Sequence, residues 1–262
     1  MADVTIRDSK RDGWGWLDVP RILAVSSNIG MIKIGRLLGK DAYYDALFSF
    51  GFGKKSGIDL PGEAVGLIPA RKRWSSVTLA SASFGHNIGV TGLQLTNAIS
   101  AIANGGTLMK PYTVRRLMGP GGQVIHDVAP VEVRRAVSEA TAAKVTAMME
   151  KVVSAEGSGV AAALPDYRVA GKTGTAQKVD PISGGYSDER IASFVGFVPA
   201  SKPRLTILVV LDEPKTSVYG GVVAAPIFRE IAEGSLRYLT VPPDGTGRDL
   251  AAAAVGQPEA EG

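Results

Sequence analysis

The densest run of chemically useful groups is Arg168-Val169-Ala170-Gly171-Lys172-Thr173-Gly174-Thr175-Ala176-Gln177-Lys178. The alternating Arg-Val-Ala-Gly start predicts a strand whose far end is rich in glycine and hydroxyls. Lys172 supplies a cation there, Thr173 and Thr175 supply hydroxyls, and Gly171 and Gly174 let a second backbone or a ligand come close. Such an edge can hold an anionic, peptide-like substrate. A phosphate-binding loop ending in Gly171-Lys172-Thr173 is excluded. It needs a glycine where Asp166 stands, and Asp166 would repel phosphate while Pro165 removes a backbone donor.

A second polar cluster, Ser26-Ser27-Asn28, interrupts an apolar pattern. Asp18 near an N-cap and Pro20 in the first turn open a short helix with Ile22, Leu23 and Val25 on its apolar face. Periodicity resumes at Met31, Ile34 and Leu38, so Ser26 to Asn28 form a turn between two packed helices, a rigid mount for a site residue. Taken alone, Ser26 and Asn28 also suit a plain helix-cap pair, and Lys172 suits a solvated strand end.

The elements that must position these groups follow in order. A helix over Asp41 to Phe48 is closed by Gly51 and Gly53, and Asp59 to Arg73 reads as a surface loop. Ser81 to Gly89 is rich in serine and glycine. Thr91 caps a helix with Leu95, Ala98, Ile99 and Ile102 on one stripe, stopped at Gly105-Gly106. Tyr112 to Met118 and Gln123 to Asp127 flank a Gly-Pro-Gly-Gly hairpin turn. Ser138 opens a helix with Val145, Met148, Met149 and Val152 inward. Strands follow at Arg168 to Lys178, Ile191 to Val198 and Leu205 to Leu211, the last two apolar enough to be covered on both faces. Asp188 to Arg190 read as a solvated loop before the second strand. Pro226 starts a final helix with Ile227, Phe228, Ile231 and Leu236 inward, and from Val241 a Pro/Gly/Ala/Glu-rich tail reads as disordered. Helices first, then strands, then a helix is an α+β pattern: an antiparallel sheet flanked by helices, beside a helical region.

Composition narrows the chemistry. The 262 residues carry 45% hydrophobic residues, a net charge of +4, no cysteine and two histidines, His86 and His126. Disulfides, thiolate zinc sites and cysteine nucleophiles are excluded, and no histidine-rich metal site can form. The basic residues are dispersed without interleaved aromatics, which argues against nucleic acid. No apolar run is long enough to span a bilayer. No cofactor or metal is called for. His86 reads as a structural or loop contact, and Trp14 and Trp16 as packing residues rather than a sugar platform.

Ser26-x-Asn28 and Lys172-Thr173-Gly174 resemble the S-x-N and K-T-G elements of penicillin-binding proteins. The surrounding sequence resembles them too. Val4 to Gly30 is similar to the segment carrying the S-x-N turn in class B members. SFGHNIGVTGLQLTNAISAIANGG (Ser83 to Gly106) is similar to their next long helix and its lead-in. RVAGKTGTAQK with IASFVGFVPASKPRLTILVVLDEP (Ile191 to Pro214) is similar to their third strand and following hairpin. The resemblance covers about residues 4 to 239. It is greatest to the septal cell-division transpeptidases and then to the elongation-specific ones.

The resemblance implies the penicillin-binding transpeptidase fold and D,D-transpeptidation of peptidoglycan stem peptides through a serine acyl-enzyme, with β-lactams as inhibitors. It implies that Ser26 and Lys172 relay protons, that Asn28 orients the lysine and the substrate backbone, and that Thr173, Gly174 and Thr175 hold the substrate carboxylate. The Thr175 N–H would be an oxyanion donor. It further implies division or elongation proteins as partners, and the periplasmic or extracytoplasmic face of the cytoplasmic membrane as the location.

One departure stands out: no serine in the chain has lysine three places on. In the family the Ser-x-x-Lys nucleophile lies upstream of the S-x-N turn. Residues 1 to 240 are therefore expected to be the C-terminal part of a transpeptidase domain, N-terminally truncated, with 241 to 262 as tail. Alone, it is expected not to be acylated. The alternatives are a catalytically silent interaction module and, less favoured by the flanking sequence, a D,D-carboxypeptidase or β-lactamase. Without its upstream strands the sheet is expected to keep an open edge and to self-associate.

Overall fold

The computed structural model describes residues 5–10, 12–180 and 185–245. Three helices come first: α1 (Val19–Ala24), α2 (Asn28–Leu38) and α3 (Lys40–Ser49). Asp18 caps α1 by accepting from the Arg21 N–H at 2.8 Å. A long connection then leads to α4 (Ser76–Ser83), which the sequence reading had not resolved. Its Ser75 cap, with Leu79, Ala80 and Ala82 buried, is the signal that marks it.

α5 (Gly92–Ala103) starts at a capping box in which Thr91 and Gln94 satisfy each other's backbone N–H groups. Four short strands follow: β1 (Thr107–Met109), β2 (Arg116–Met118), β3 (Val124–Asp127) and β4 (Glu132–Arg135). β2 and β3 form the expected hairpin; β1 and β4 pair with each other and are too short to show in sequence. α6 (Glu139–Val152) is capped by Ser138.

The main sheet is antiparallel, with β5 (Ala170–Val179), β6 (Tyr186–Val198) and β7 (Leu205–Asp212) in that order. β6 begins five residues earlier than expected, so Asp188 to Arg190 lie in the strand and Arg190 pairs with Gln177. α7 (Gly220–Val223) and α8 (Ala225–Tyr238) close the fold.

The sheet is packed on both faces by helices. On one face Phe194, Val198 and Val209 meet Phe228, Ala232 and Leu236 of α8. Phe194 and Phe228 make an edge-to-face pair with centroids 4.7 Å apart. On the other face Ala170 and Phe197 pack with Met149 of α6 and Ile99 and Ile102 of α5. Two expectations need correcting. Ile227 and Ile231 are exposed, because the buried stripe of α8 runs through Ala225, Phe228, Ala232 and Leu236. Val241 is buried, and the Tyr167 hydroxyl donates to its carbonyl at 2.6 Å. Asp244 accepts from the Arg168 N–H at 2.8 Å, so the segment after α8 stays packed at least that far. The rest of the expected tail, from 246, lies outside the described residues.

No helix among the described residues is long and apolar enough to cross a membrane. Among the described residues the outer edge of β7 has no partner strand, and Val210 on β7 is half exposed.

Candidate active site

The site is built where α1 ends and β5 begins. α1 terminates in a Schellman motif: the Ser26 N–H donates to the Leu23 carbonyl at 3.2 Å and the Ser27 N–H to the Ile22 carbonyl at 3.0 Å. That motif puts one residue in the left-handed region, usually glycine. Here it is Ser26, with φ of 57°. A side chain in that conformation costs on the order of 1 kcal/mol or more, and such strain clusters at functional sites. The gain is position, because the turn aims the Ser26 hydroxyl at β5.

The next residue starts the next helix. Ser27 is buried and caps α2, accepting from the Gly30 N–H at 2.9 Å and donating to Asp8 at 2.8 Å. The other Asp8 oxygen accepts from the Ile29 N–H at 3.1 Å. Asn28, the first residue of α2, donates its side-chain amide to the Arg7 carbonyl at 2.9 Å. This bond anchors Asn28 to the segment before α1. Asp8 was missed in the sequence reading. A carboxylate 19 positions upstream carries no local signal that it will close a helix start.

Opposite Ser26, the Lys172 ammonium donates to the Ser26 hydroxyl at 2.7 Å and to the Thr173 carbonyl at 2.9 Å. The Thr173 hydroxyl lies 3.5 Å from it and shares a 2.9 Å hydrogen bond with Ser158. Ser158 in turn donates its backbone N–H to the Ala24 carbonyl at 2.9 Å, tying the β5 wall to the end of α1. Ser158 too was missed, being 14 positions from the lysine in a loop of small residues.

No carboxylate pairs with Lys172 among the described ion pairs. Burial pushes its pKa down from 10.5 to about 8. The lysine is therefore mostly protonated at neutral pH but able to give up its proton cheaply. In its neutral form it can accept from the hydroxyl that it otherwise donates to.

Further along β5, the Thr175 hydroxyl is exposed and accepts from the Gly220 N–H at 3.3 Å. Gly220 must be glycine. A Cβ there would sit 2.1 Å from the Ser193 carbonyl and 2.5 Å from that of Gly174. Among the described residues β5 pairs only with β6, so its other edge is open to an extended backbone.

A cavity of about 830 Å³ lies between β5, β6, β7 and the start of α5, lined in part by Gly174, Gln177, Leu95, Leu208 and Val210. His86 lines one side of it, in tilted ring contact with Phe84 and Tyr186 at centroid distances of 4.7 and 4.6 Å. Burial and then the Arg190 charge hold this imidazole below its usual pKa, as a neutral loop contact.

The described residues hold no cluster that could ligate a metal. The arrangement can move a proton between a hydroxyl and a cool, buried lysine while adjacent hydroxyls and a cation grip an anion.

Residues 1–233 match the penicillin binding protein transpeptidase domain, and the chain belongs to that family. It is 39% identical over 241 residues to Stage V sporulation protein D of Bacillus subtilis, covering 91% of this chain and 37% of that protein. Identity to the peptidoglycan D,D-transpeptidase FtsI of Escherichia coli is 37% over 229 residues, covering 87% and 37%.

Among solved structures, penicillin binding protein 3 of Mycobacterium tuberculosis in complex with aztreonam superposes with a TM-score of 0.84 at 34% identity. That match covers 93% of this chain and 56% of the other. The transpeptidase domain of penicillin-binding protein 3 from Burkholderia pseudomallei gives 0.78 at 36% identity, covering 89% and 68%. The chain thus spans 37% of the length of each of these two curated relatives.

Proposed function

We propose that this chain forms the substrate-gripping wall of a peptidoglycan D,D-transpeptidase. The supporting observation is the 2.7 Å contact between Lys172 and Ser26, flanked by the hydroxyls of Thr173 and Thr175 on a free strand edge. In this reading the stem peptide adds as a strand along β5. The Thr173 and Thr175 hydroxyls and the Lys172 charge hold its terminal carboxylate, and Gly174 lets the backbone come close. The Thr175 N–H faces the oxyanion that forms at the scissile carbonyl. Removing one such donor typically costs about 3 kcal/mol of transition-state stabilisation.

Ser26 and Lys172 carry the proton between the leaving D-alanine amine and the incoming amine of a neighbouring strand. Asn28 fixes the S-x-N turn through Arg7 and presents the rest of its amide to the substrate backbone. The attacking serine is the missing part. No Ser-x-x-Lys occurs in the 262 residues, so acyl transfer requires a serine supplied from outside them. The chain alone then binds β-lactams and stem peptides without being acylated. Kinship with FtsI and Stage V sporulation protein D supports work outside the cytoplasm, with division or elongation proteins as partners.

The reading is tested by titrating an acyl-D-alanyl-D-alanine peptide while following backbone amide shifts. Shifts concentrated at Lys172 to Thr175, and lost in Lys172→Met, are expected. Shifts elsewhere, or none, favour a silent module.

A further inference from the structure

Trp16 is 90% exposed, contrary to the packing role read from the sequence. Its neighbour Trp14 is part-buried, with the Lys10 ammonium 5.2 Å over its ring. A tryptophan in water forgoes a large apolar burial, and its flat ring with one N–H donor offers a stacking face to a ligand. The loop holding it is set by Gly15, whose φ of 68° few other residues would adopt.

Trp16 lines a cavity of about 490 Å³ with Leu17 and Ala24 as its other apolar residues and Asp18, Arg21, Lys151, Ser154 and Glu156 as its polar ones. Arg21 and Glu156 are ion-paired across it and both remain solvent-accessible. One exposed indole, with only Leu17 and Ala24 as apolar company among a guanidinium, carboxylates, an ammonium and a hydroxyl, is poor protein-docking chemistry. There a central tryptophan is normally ringed by apolar, water-excluding neighbours. The same set suits a sugar. The C–H face of a pyranose stacks on the indole, and its ring of hydroxyls needs planar, charged partners on several sides.

The cavity neighbours the active site through α1, which starts after Asp18 and ends before the Ser26 turn. Ala24, which lines the cavity, accepts from the Ser158 N–H, and the Ser158 hydroxyl shares a hydrogen bond with Thr173.

We propose that the Trp16 groove is a saccharide subsite that takes an N-acetylated amino sugar of a glycan strand while the stem peptide lies along β5. The identity of the sugar rests on the peptidoglycan reading above. The indole stacks on the ring, Lys151 and Arg21 donate to the acetamide carbonyl and hydroxyls, and Glu156 accepts from a hydroxyl.

The test is a calorimetric and tryptophan-fluorescence titration of the full chain with peptide-free oligosaccharides of N-acetylglucosamine and N-acetylmuramic acid. Wild type, Trp16→Ala and Lys172→Met are compared. Saturable binding is expected in wild type and unchanged in Lys172→Met. Trp16→Ala, which removes an exposed ring, should bind about tenfold more weakly or not at all with an unaltered melting temperature. No saturable binding in wild type, or equal binding in Trp16→Ala, overturns the inference. Glycan binding that persists when the stem peptide fails to bind β5 counts against the β5 reading alone. Peptide binding without glycan binding counts against the Trp16 subsite alone.

Discussion

Lys172 is a charge held where the fold would be more stable without it, and that cost can be measured through its pH dependence. The unfolded chain keeps the ordinary lysine pKa of 10.5, whereas burial lowers it to about 8 in the folded chain. Between these values the unfolded state binds a proton that the folded state has released, so stability rises with pH. At roughly 1.4 kcal/mol per pH unit, the full gap is worth about 3 kcal/mol, most of it gained between about pH 7 and pH 10.

Other shifted groups act outside that window. Tyr43, raised by burial, acts above about pH 10, as does Lys178, raised chiefly by Glu213 and then Asp212. His86 is lowered by burial and acts below about pH 6.5. The perturbation is Lys172→Met, which keeps the stem and removes the charge. Urea unfolding of both proteins at pH steps from about 7 to about 10 gives the difference in stability, which is independent of any constant packing offset. Wild type should gain about 2–3 kcal/mol on the variant across the range. Curves that stay parallel within about 0.5 kcal/mol would refute a desolvated Lys172 and with it the proton relay.

Three further outcomes follow from the same geometry. Ser26→Gly should raise stability by up to about 1 kcal/mol by relieving the left-handed serine, while abolishing the hydroxyl that Lys172 contacts; thermal melts and the peptide titration read both effects. Phe228→Ala removes the buried ring that packs on Phe194 and should cost about 3–5 kcal/mol in denaturant unfolding. Sedimentation velocity should show concentration-dependent association through the open β7 edge, and Val210→Lys, a charge on that edge, should shift it toward monomer. Concentration-independent monomers in wild type would contradict the edge argument.

Much of the site was legible because its parts carry local signals. Glycine and hydroxyl spacing marked Lys172 to Thr175, and a polar break between apolar helices marked Ser26 to Asn28. That the two clusters meet was not legible from spacing, since they lie 146 positions apart and only the family resemblance joined them. Ser26 in the left-handed region was hidden because its Schellman motif lacks the glycine that usually announces one. Asp8 and Ser158 escaped because long-range carboxylate caps and small-residue loops have no periodicity. Trp16 was misread for the opposite reason. Apolar character normally predicts burial, and this ring stands 90% exposed. Ile227 and Ile231 were placed inward on hydrophobicity alone, although the 3.6-residue stripe through Phe228 already favoured Ala232.

The central claim is a transpeptidase wall that grips its substrate but brings no attacking serine. Intact-protein mass spectrometry after incubation with a β-lactam tests it most directly. An unchanged mass, together with saturable and reversible β-lactam binding that Lys172→Met weakens, is the result expected. A stoichiometric covalent adduct on any serine of this chain, Ser26 included, would contradict it.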